Sequence, residues 1–317
     1  MPGPLSDAFA WLVVGTFVLG AVLAAREHRL ARSVTVGGWA LFGAFWLQLF
    51  PHFAFTQKSY VEGILTLAAV PACLYAGYLL WDGRDSLEVL SRAVAAMGLV
   101  YLPFETIPAI AVAGLTLPAP KEVLILTVTE QTGFLINALG FHPELVVGDQ
   151  GYMNTYRFVA DGNHRLEFSI VLACTGLGSM AIFAGLIAAV RAPLRRKLRA
   201  LAVAIPIIWM LNLVRTTFIG ISFGKQYLQV FVDEVLFLFG DTDPYAVSFY
   251  LSDRVISQVL AVVALIGITY LVVRELPELL TIMEDILFML TGEEYDLAET
   301  LDLSDPDDDG PRASASD

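Results

Sequence analysis

The chain has 317 residues, 56% of them hydrophobic, and a mean hydropathy of +0.67. That is more apolar than a soluble domain, where about half is the ceiling. The formal net charge of −13 is local: fourteen acids and one base, Arg312, lie from Glu275 onward, and the rest carries 18 acids and 18 bases. A balanced apolar body with an acidic end excludes a nucleic-acid surface. Two cysteines, Cys73 and Cys174, make no disulfide framework. Four scattered histidines (His28, His52, His142, His164) give no zinc spacing. No metal or other cofactor is expected. Four Lys against fifteen Arg, with an Asp-rich end, point to a salt-adapted proteome.

In chain order, apolar runs long enough to cross a bilayer are expected at 8–25, 34–54, 61–81, 93–115, 168–190, 200–223 and 247–273. The first lacks a basic segment before it and a small-residue cleavage pattern, so it reads as a retained helix. Basic residues concentrate in alternate short loops: Arg26, Arg29 and Arg32; Arg84 and Arg92; Arg191, Arg195, Arg196, Lys197 and Arg199. This places the N-terminus outside and the C-terminus inside, with seven spans. The segment 121–141 is apolar, but Lys121, Glu122, Glu130 and Gln131 argue against a lipid-exposed span, so an external interfacial or re-entrant helix is expected. Between 144 and 167, two alternating segments flank Asp161-Gly162-Asn163, a turn signal, and predict an external β-hairpin leading into the fifth span. After 274, leucines at helical spacing predict an amphipathic helix on the inner surface over 275–303. The last residues, 304–317, have the composition of a disordered acidic tail. The expected architecture is thus an all-α membrane bundle with a small external hairpin. A polytopic domain spans 1–274, with its external elements at 117–167.

Polar side chains within spans mark function because they are costly there. Four stand out: Glu105, Cys174, Arg215 and Arg254. With the topology above, Cys174 lies ~9 Å, Arg215 ~12 Å and Arg254 roughly 7 Å below the outer ends of three consecutive helices. All three fall in the outer half of the membrane. A thiolate is the nucleophilic form of cysteine, and nearby guanidinium groups favour it. Arginine stays protonated and is no general base, so its roles are to hold the thiolate and to stabilise an oxyanion. Thr175, Gly176, Gly178 and Ser179 put small and hydroxylated residues around the sulfur, and Asn212 lies one turn before Arg215.

Ala173-Cys174-Thr175-Gly176, then Asn212-Leu213-Val214-Arg215 on the next span, then Arg254 on the one after, resembles the pattern of the exosortase/archaeosortase family. Bacterial members carry His at the third position, so Arg254 resembles the archaeal branch. The motif-bearing core is 168–260. The resemblance implies a membrane thiol transpeptidase acting on surface proteins. Their C-terminal sorting signal is a Pro-Gly-Phe-like motif, a transmembrane helix and a basic cluster, and a lipid is the acyl acceptor. It further implies Cys174 as nucleophile and Arg215 and Arg254 as orienting and stabilising groups, with Asn212, Thr175 and Gly176 in support. His164 and Glu105 stand as alternatives for a general acid, and Glu105 also as a structural counter-ion to Arg215.

Other seven-span classes compete. A retinal protein needs a Lys in the last span, and none follows Lys225. A transporter would line its path with Glu105, Arg215 and Arg254 but would tolerate Cys174→Ser. A non-catalytic assembly factor docking through the hairpin would tolerate loss of both Cys174 and Arg215.

Overall fold

The computed structural model describes residues 3–56, 60–112, 115–160 and 163–297. The predicted disordered tail at 304–317, the end of the predicted amphipathic segment and the Asp161-Gly162 pair lie outside the described residues.

Among the described residues, six helices are long and apolar enough to cross a membrane: Pro4–Ala25, Ala31–Thr56, Glu62–Asp82, Leu87–Thr106, Leu194–Gly224 and Pro244–Glu275. In chain order the helices are α1 (Pro4–Ala25), α2 (Ala31–Pro51), α3 (Tyr60–Asp82), α4 (Leu87–Thr106), α5 (Pro120–Ala138), α6 (Leu177–Ala189), α7 (Leu194–Gly224), α8 (Val232–Phe239), α9 (Val247–Phe249), α10 (Ser257–Glu275) and α11 (Leu280–Thr291). The span expected at 168–190 contributes only α6, 13 residues, or ~20 Å, against about 30 Å of hydrocarbon. Its first part is not helical, because a β-strand runs on to Ser169. Similarly, the span expected at 93–115 ends at Thr106, ahead of Pro108, and a small hairpin follows, β1 (Ile110–Val112) on β2 (Leu115–Leu117). Proline disfavours helical backbone in the residue before it, which accounts for the stop.

Helices α1 and α2, α2 and α3, α1 and α4, α4 and α6, α6 and α7, and α7 and α10 pack on one another. Without a hydrophobic drive between helices in lipid, close backbone approach carries much of the packing. Gly185 shows it: a Cβ there would sit 2.6 Å from the Ala93 carbonyl oxygen. Phe17, Leu80 and Leu87 fill one core between α1 and α4; Ile187, Ala204 and Val272 fill a second among α6, α7 and α10. Val259, Val262, Val263 and Ile266 of α10 are more than half exposed, an apolar face suited to lipid.

The predicted hairpin is present as β4 (Met153–Ala160) on β5 (His164–Ser169), with Ala160 opposite His164. A third strand, β3 (Glu144–Val147), which the sequence reading missed, joins β4 on its other edge. Arg157 is opposite both Glu144 and Glu167 and bonds to each, at 3.3 and 2.9 Å. Inward side chains bolt the sheet to the helices. Phe158 packs where α7 has Gly224, Phe168 where it has Gly220, and the Tyr156 hydroxyl donates to the Thr129 carbonyl of α5. Helix α5 is the interfacial candidate of the sequence, is not among the six long apolar helices, and buries Ile125, Val128 and Ile136 under the sheet.

All three arginine-rich loops meet at the other end of the bundle. Arg32 pairs with Asp85, and Arg196 forms a two-pronged bond with Glu278. Helix α11 is shorter than the predicted 275–303, stopping at Gly292 with φ +76°. It folds back over the bundle rather than lying free on a membrane surface: Leu280, Ile282 and Asp285 are buried. Asp285 accepts from Arg84 Nε at 2.6 Å and Ser86 Oγ at 2.9 Å, and the Arg84 guanidinium lies over the Phe288 ring. Arg84→Ala would leave a buried carboxylate without its cation, a loss of about 3 kcal/mol, read as a fall in thermal stability and as protease sensitivity after α10. Arg84 also holds the exposed Glu294 carboxylate below its ordinary range through a charged hydrogen bond. That contribution is present above the ordinary carboxylate pKa and is lost as pH falls through the lowered folded-state value. The segment around Glu294 should therefore loosen from Arg84 on acidification.

Candidate active site

The sheet aims the chain at the site. After β5, Ile170 and Asn154 clasp each other: Ile170 N donates to Asn154 O at 2.8 Å and Asn154 Nδ2 to Ile170 O at 2.7 Å. A 3-10 turn, Leu172–Thr175, then carries Cys174. The sulfur therefore stands ahead of α6, not six residues inside a helix as the sequence suggested. Gly176 explains the break. Its φ of +74° is left-handed, which glycine adopts at no steric cost, and α6 starts only at Leu177. Thr175 is fully buried; its hydroxyl donates to Leu172 O at 2.7 Å and locks the turn. Cys174 itself is half-buried, whereas Cys73 is buried in the α1–α4 core.

Helix α7 holds this turn from the side. Asn212 Nδ2 donates to the Cys174 carbonyl oxygen at 2.7 Å, and Thr216 Oγ1, one turn further on, reaches the same oxygen at 3.3 Å. A Cβ at Gly176 would meet Asn212 Cγ at 3.0 Å, so the supporting residues Asn212 and Gly176 form one packed contact. Trp209, a turn earlier, donates to Gln131 of α5 at 2.9 Å and fixes α7 against that helix.

Arg215 lies nine residues before the end of α7, and its Nη2 bonds Asp253 Oδ1 at 2.6 Å. Asp253 Oδ2 lies 3.9 Å from Arg254 Nε. One carboxylate thus stands between the two arginines of the sequence pattern. Asp253 was missed because it sits beside Arg254 and reads there as a neutralising neighbour. The signal that could have found it is an adjacent Asp–Arg pair inside an apolar span, since neither charge is tolerated alone at that depth. Arg215 and Asp253 are the charged side chains nearest in effect to the Cys174 thiol, and they act on it in opposite directions. Arg254 acts on Tyr250, whose hydroxyl donates to Asp241 at 2.6 Å.

Asp253 and Arg254 fall in a π-helical stretch, Tyr250–Ile256, inside the last long helix. A π-bulge turns side chains off the α-helical register and is frequent at functional sites. This helix begins as its sequence predicts, with Asp243 accepting from Tyr245 N ahead of Pro244. The two acid candidates each have a partner of their own. His164, exposed, stacks on Tyr245 with ring centres 4.0 Å apart. Glu105 hydrogen-bonds the Tyr101 hydroxyl on its own helix, and the bonded counter-ion of Arg215 is Asp253.

Six long apolar helices and the shorter apolar α6 among the described residues, a three-stranded sheet and a thiol flanked by an Asn/Thr clamp and an arginine–carboxylate set describe a polytopic membrane protein with a polar site near one end. The chain belongs to the transmembrane exosortase family, whose pattern matches residues 5–242. Archaeosortase A of Haloferax volcanii is 66% identical over 303 residues, covering 96% of this chain and 100% of the relative. Archaeosortase A of Natronomonas pharaonis is 43% identical over 313 residues, covering 96% and 95%. No solved structure matches the chain.

Proposed function

We propose that this protein is a membrane-embedded thiol transpeptidase that cuts a C-terminal sorting signal from surface proteins and hands the new C-terminus to a membrane lipid. The observation that carries this reading is the seat of Cys174. Its carbonyl is pinned by Asn212 and Thr216, and Arg215, one turn beyond Asn212 on the same helix, is ion-paired to Asp253. The names of the two relatives, both archaeosortases, support a processing enzyme of this class.

In this reading the Cys174 thiolate, favoured by Arg215, attacks the carbonyl of the scissile peptide. The tetrahedral oxyanion is met by guanidinium N–H groups. The amine leaves with the proton that the Cys174 thiol gave up, and a thioester joins Cys174 to the surface protein. A lipid nucleophile then attacks the thioester and frees the sulfur. Asp253 aligns Arg215, and its second oxygen faces Arg254, so the carboxylate acts as a positioning residue. With the loop charges placing the N-terminus outside and the C-terminus in the cytoplasm, the thiol faces the outer leaflet. A cut there falls at the external end of a substrate helix.

The direct test is to trap the thioester. Purified protein in lipid nanodiscs is mixed with a peptide carrying the Pro-Gly-Phe-like motif and its helix, then quenched in acid. Mass spectrometry should show the peptide's N-terminal part on the Cys174-containing fragment, released by neutral hydroxylamine. Turnover of the peptide with no adduct at Cys174, under conditions where a lipid acceptor is withheld, would remove the acyl-enzyme from the scheme.

A further inference from the structure

The arginine-rich end of the bundle, opposite Cys174 along α6, holds a second polar site that the chemistry above does not use. Arg92, near the start of α4, and Arg191, just past the end of α6, both line a cavity of about 120 Å³ at the foot of α1. This is room for several waters or one tetrahedral oxyanion. Arg92 Nε is buried and has no hydrogen-bond partner. Arg191 and Glu88 act on Arg92 electrostatically, so two like charges are held together with one carboxylate nearby. The same two arginines line an adjoining cavity of about 360 Å³, bordered also by Asp85, Glu88 and Glu278. Two of those carboxylates are committed elsewhere: Asp85 to Arg32 and Glu278 to Arg196. Glu88 is the remaining acid.

The other wall is apolar and small. Phe17, Gly20, Ala21 and Ala24 of α1 line the first cavity. The hydroxyls beside them are turned to their own partners: Thr35 donates to Ala31 O, and Ser91 donates to Leu87 O while accepting from Trp39. The hydrogen-bonding capacity left over is therefore cationic, at Arg92 Nε.

A buried guanidinium N–H without an acceptor is costly, and two neighbouring guanidinium groups repel. Both costs vanish when an oxyanion accepts from them, since arginine's fork matches phosphate oxygens. We propose that Arg92 and Arg191 form a phosphate-binding site, and that its natural occupant is the headgroup phosphate of a membrane lipid lying along α1. Basic pockets between helices at a membrane face hold anionic headgroups in this way. The apolar α1 wall beside the arginines suits the start of a lipid chain, which a free phosphate does not need. The site lies about 20 Å from Cys174 along α6, so its lipid is a structural ligand and not the acyl acceptor.

The test uses the full-length protein, stripped of lipid in a neutral detergent, and follows thermal unfolding. The probes are a short-chain phosphatidylglycerol, the diacylglycerol with the same chains, and inorganic phosphate. Saturating phosphatidylglycerol should raise the midpoint by about 5 °C, with no comparable rise from the diacylglycerol. In Arg92→Gln and in Arg191→Gln that rise should be lost. The lipid-free Arg92→Gln protein should be at least as stable as the native one, because its buried Nε–H has no acceptor to lose and one of two repelling cations has gone. This sign reversal separates the site from a purely structural arginine. If inorganic phosphate alone gives the same arginine-dependent rise, the anion site stands and its occupant is the free ion. If no probe shifts the midpoint, or the phosphatidylglycerol shift survives in both variants, the proposal is overturned. Arg191 is exposed, so Arg191→Gln gives a folded variant even if Arg92→Gln is poorly made.

Discussion

Cells producing Cys174→Ala in place of the native protein are expected to keep the C-terminal anchor helix on their surface proteins. Removing a covalent nucleophile typically lowers a rate by three orders of magnitude or more, which in growing cells reads as full retention. Cys174→Ser should behave alike, because a hydroxyl with no adjacent base is barely ionised. Gel mobility and the mass of the C-terminal fragment give the readout, and membrane levels of each variant give the control. The fold should survive both changes. The Asn212 and Thr216 bonds go to the backbone carbonyl of residue 174, not to its sulfur, so the side chain can be exchanged without releasing the turn. Normal processing by a well-expressed Cys174→Ala protein would make the thiol structural and return the transporter and assembly-factor readings.

The second large effect is expected at the carboxylate between the arginines. Asp253→Asn keeps the shape but removes the charge that holds Arg215 at 2.6 Å. A charge-assisted hydrogen bond contributes about 1.5–3 kcal/mol, a factor of roughly 10–100. Both groups retain some solvent contact, at 30% and 20% exposure, so the lower end is the expected loss. If Arg215 serves the thiol in the proposed way, the fall should appear in kcat more than in KM. If Asp253 works through Arg215, then Arg215→Gln with Asp253→Asn should be no worse than Arg215→Gln alone. Fully additive losses would mean that Asp253 has its own role in the chemistry, and the positioning assignment would fall. Arg254→Lys belongs in the same series. It preserves the charge and loses the planar fork, so an activity drop of about tenfold or more is expected. Near-native activity would show that a point charge suffices there.

The order of elements was legible because a bilayer imposes a simple rule: about 20 apolar residues per crossing, with basic loops grouped at one end. The hairpin was legible from Asp161-Gly162 between alternating segments, and the start of the last helix from Asp243-Pro244. Less legible was Glu144–Val147, too short for a pattern, which becomes a strand only because β4 offers it an edge. The α6 span was overcalled for a related reason. Residues 168–176 are as apolar as a helix, yet pairing of β5 with β4 claims the first two of them, and the left-handed Gly176 ends the turn that follows.

The sequence by itself determined that this is a membrane protein and which polar groups, Cys174, Arg215 and Arg254, its later apolar segments carry, because polar groups are costly inside a membrane and stand out there. Tertiary structure decided what those groups do to one another. The pairing of Arg215 with Asp253 rather than Glu105 depends on how α7 meets a π-helical turn of the last helix. The hold of Asn212 and Thr216 on residue 174 depends on a 3-10 turn set by the sheet. Local patterns encode where a side chain enters the membrane; only the packed helices decide which partner it finds there.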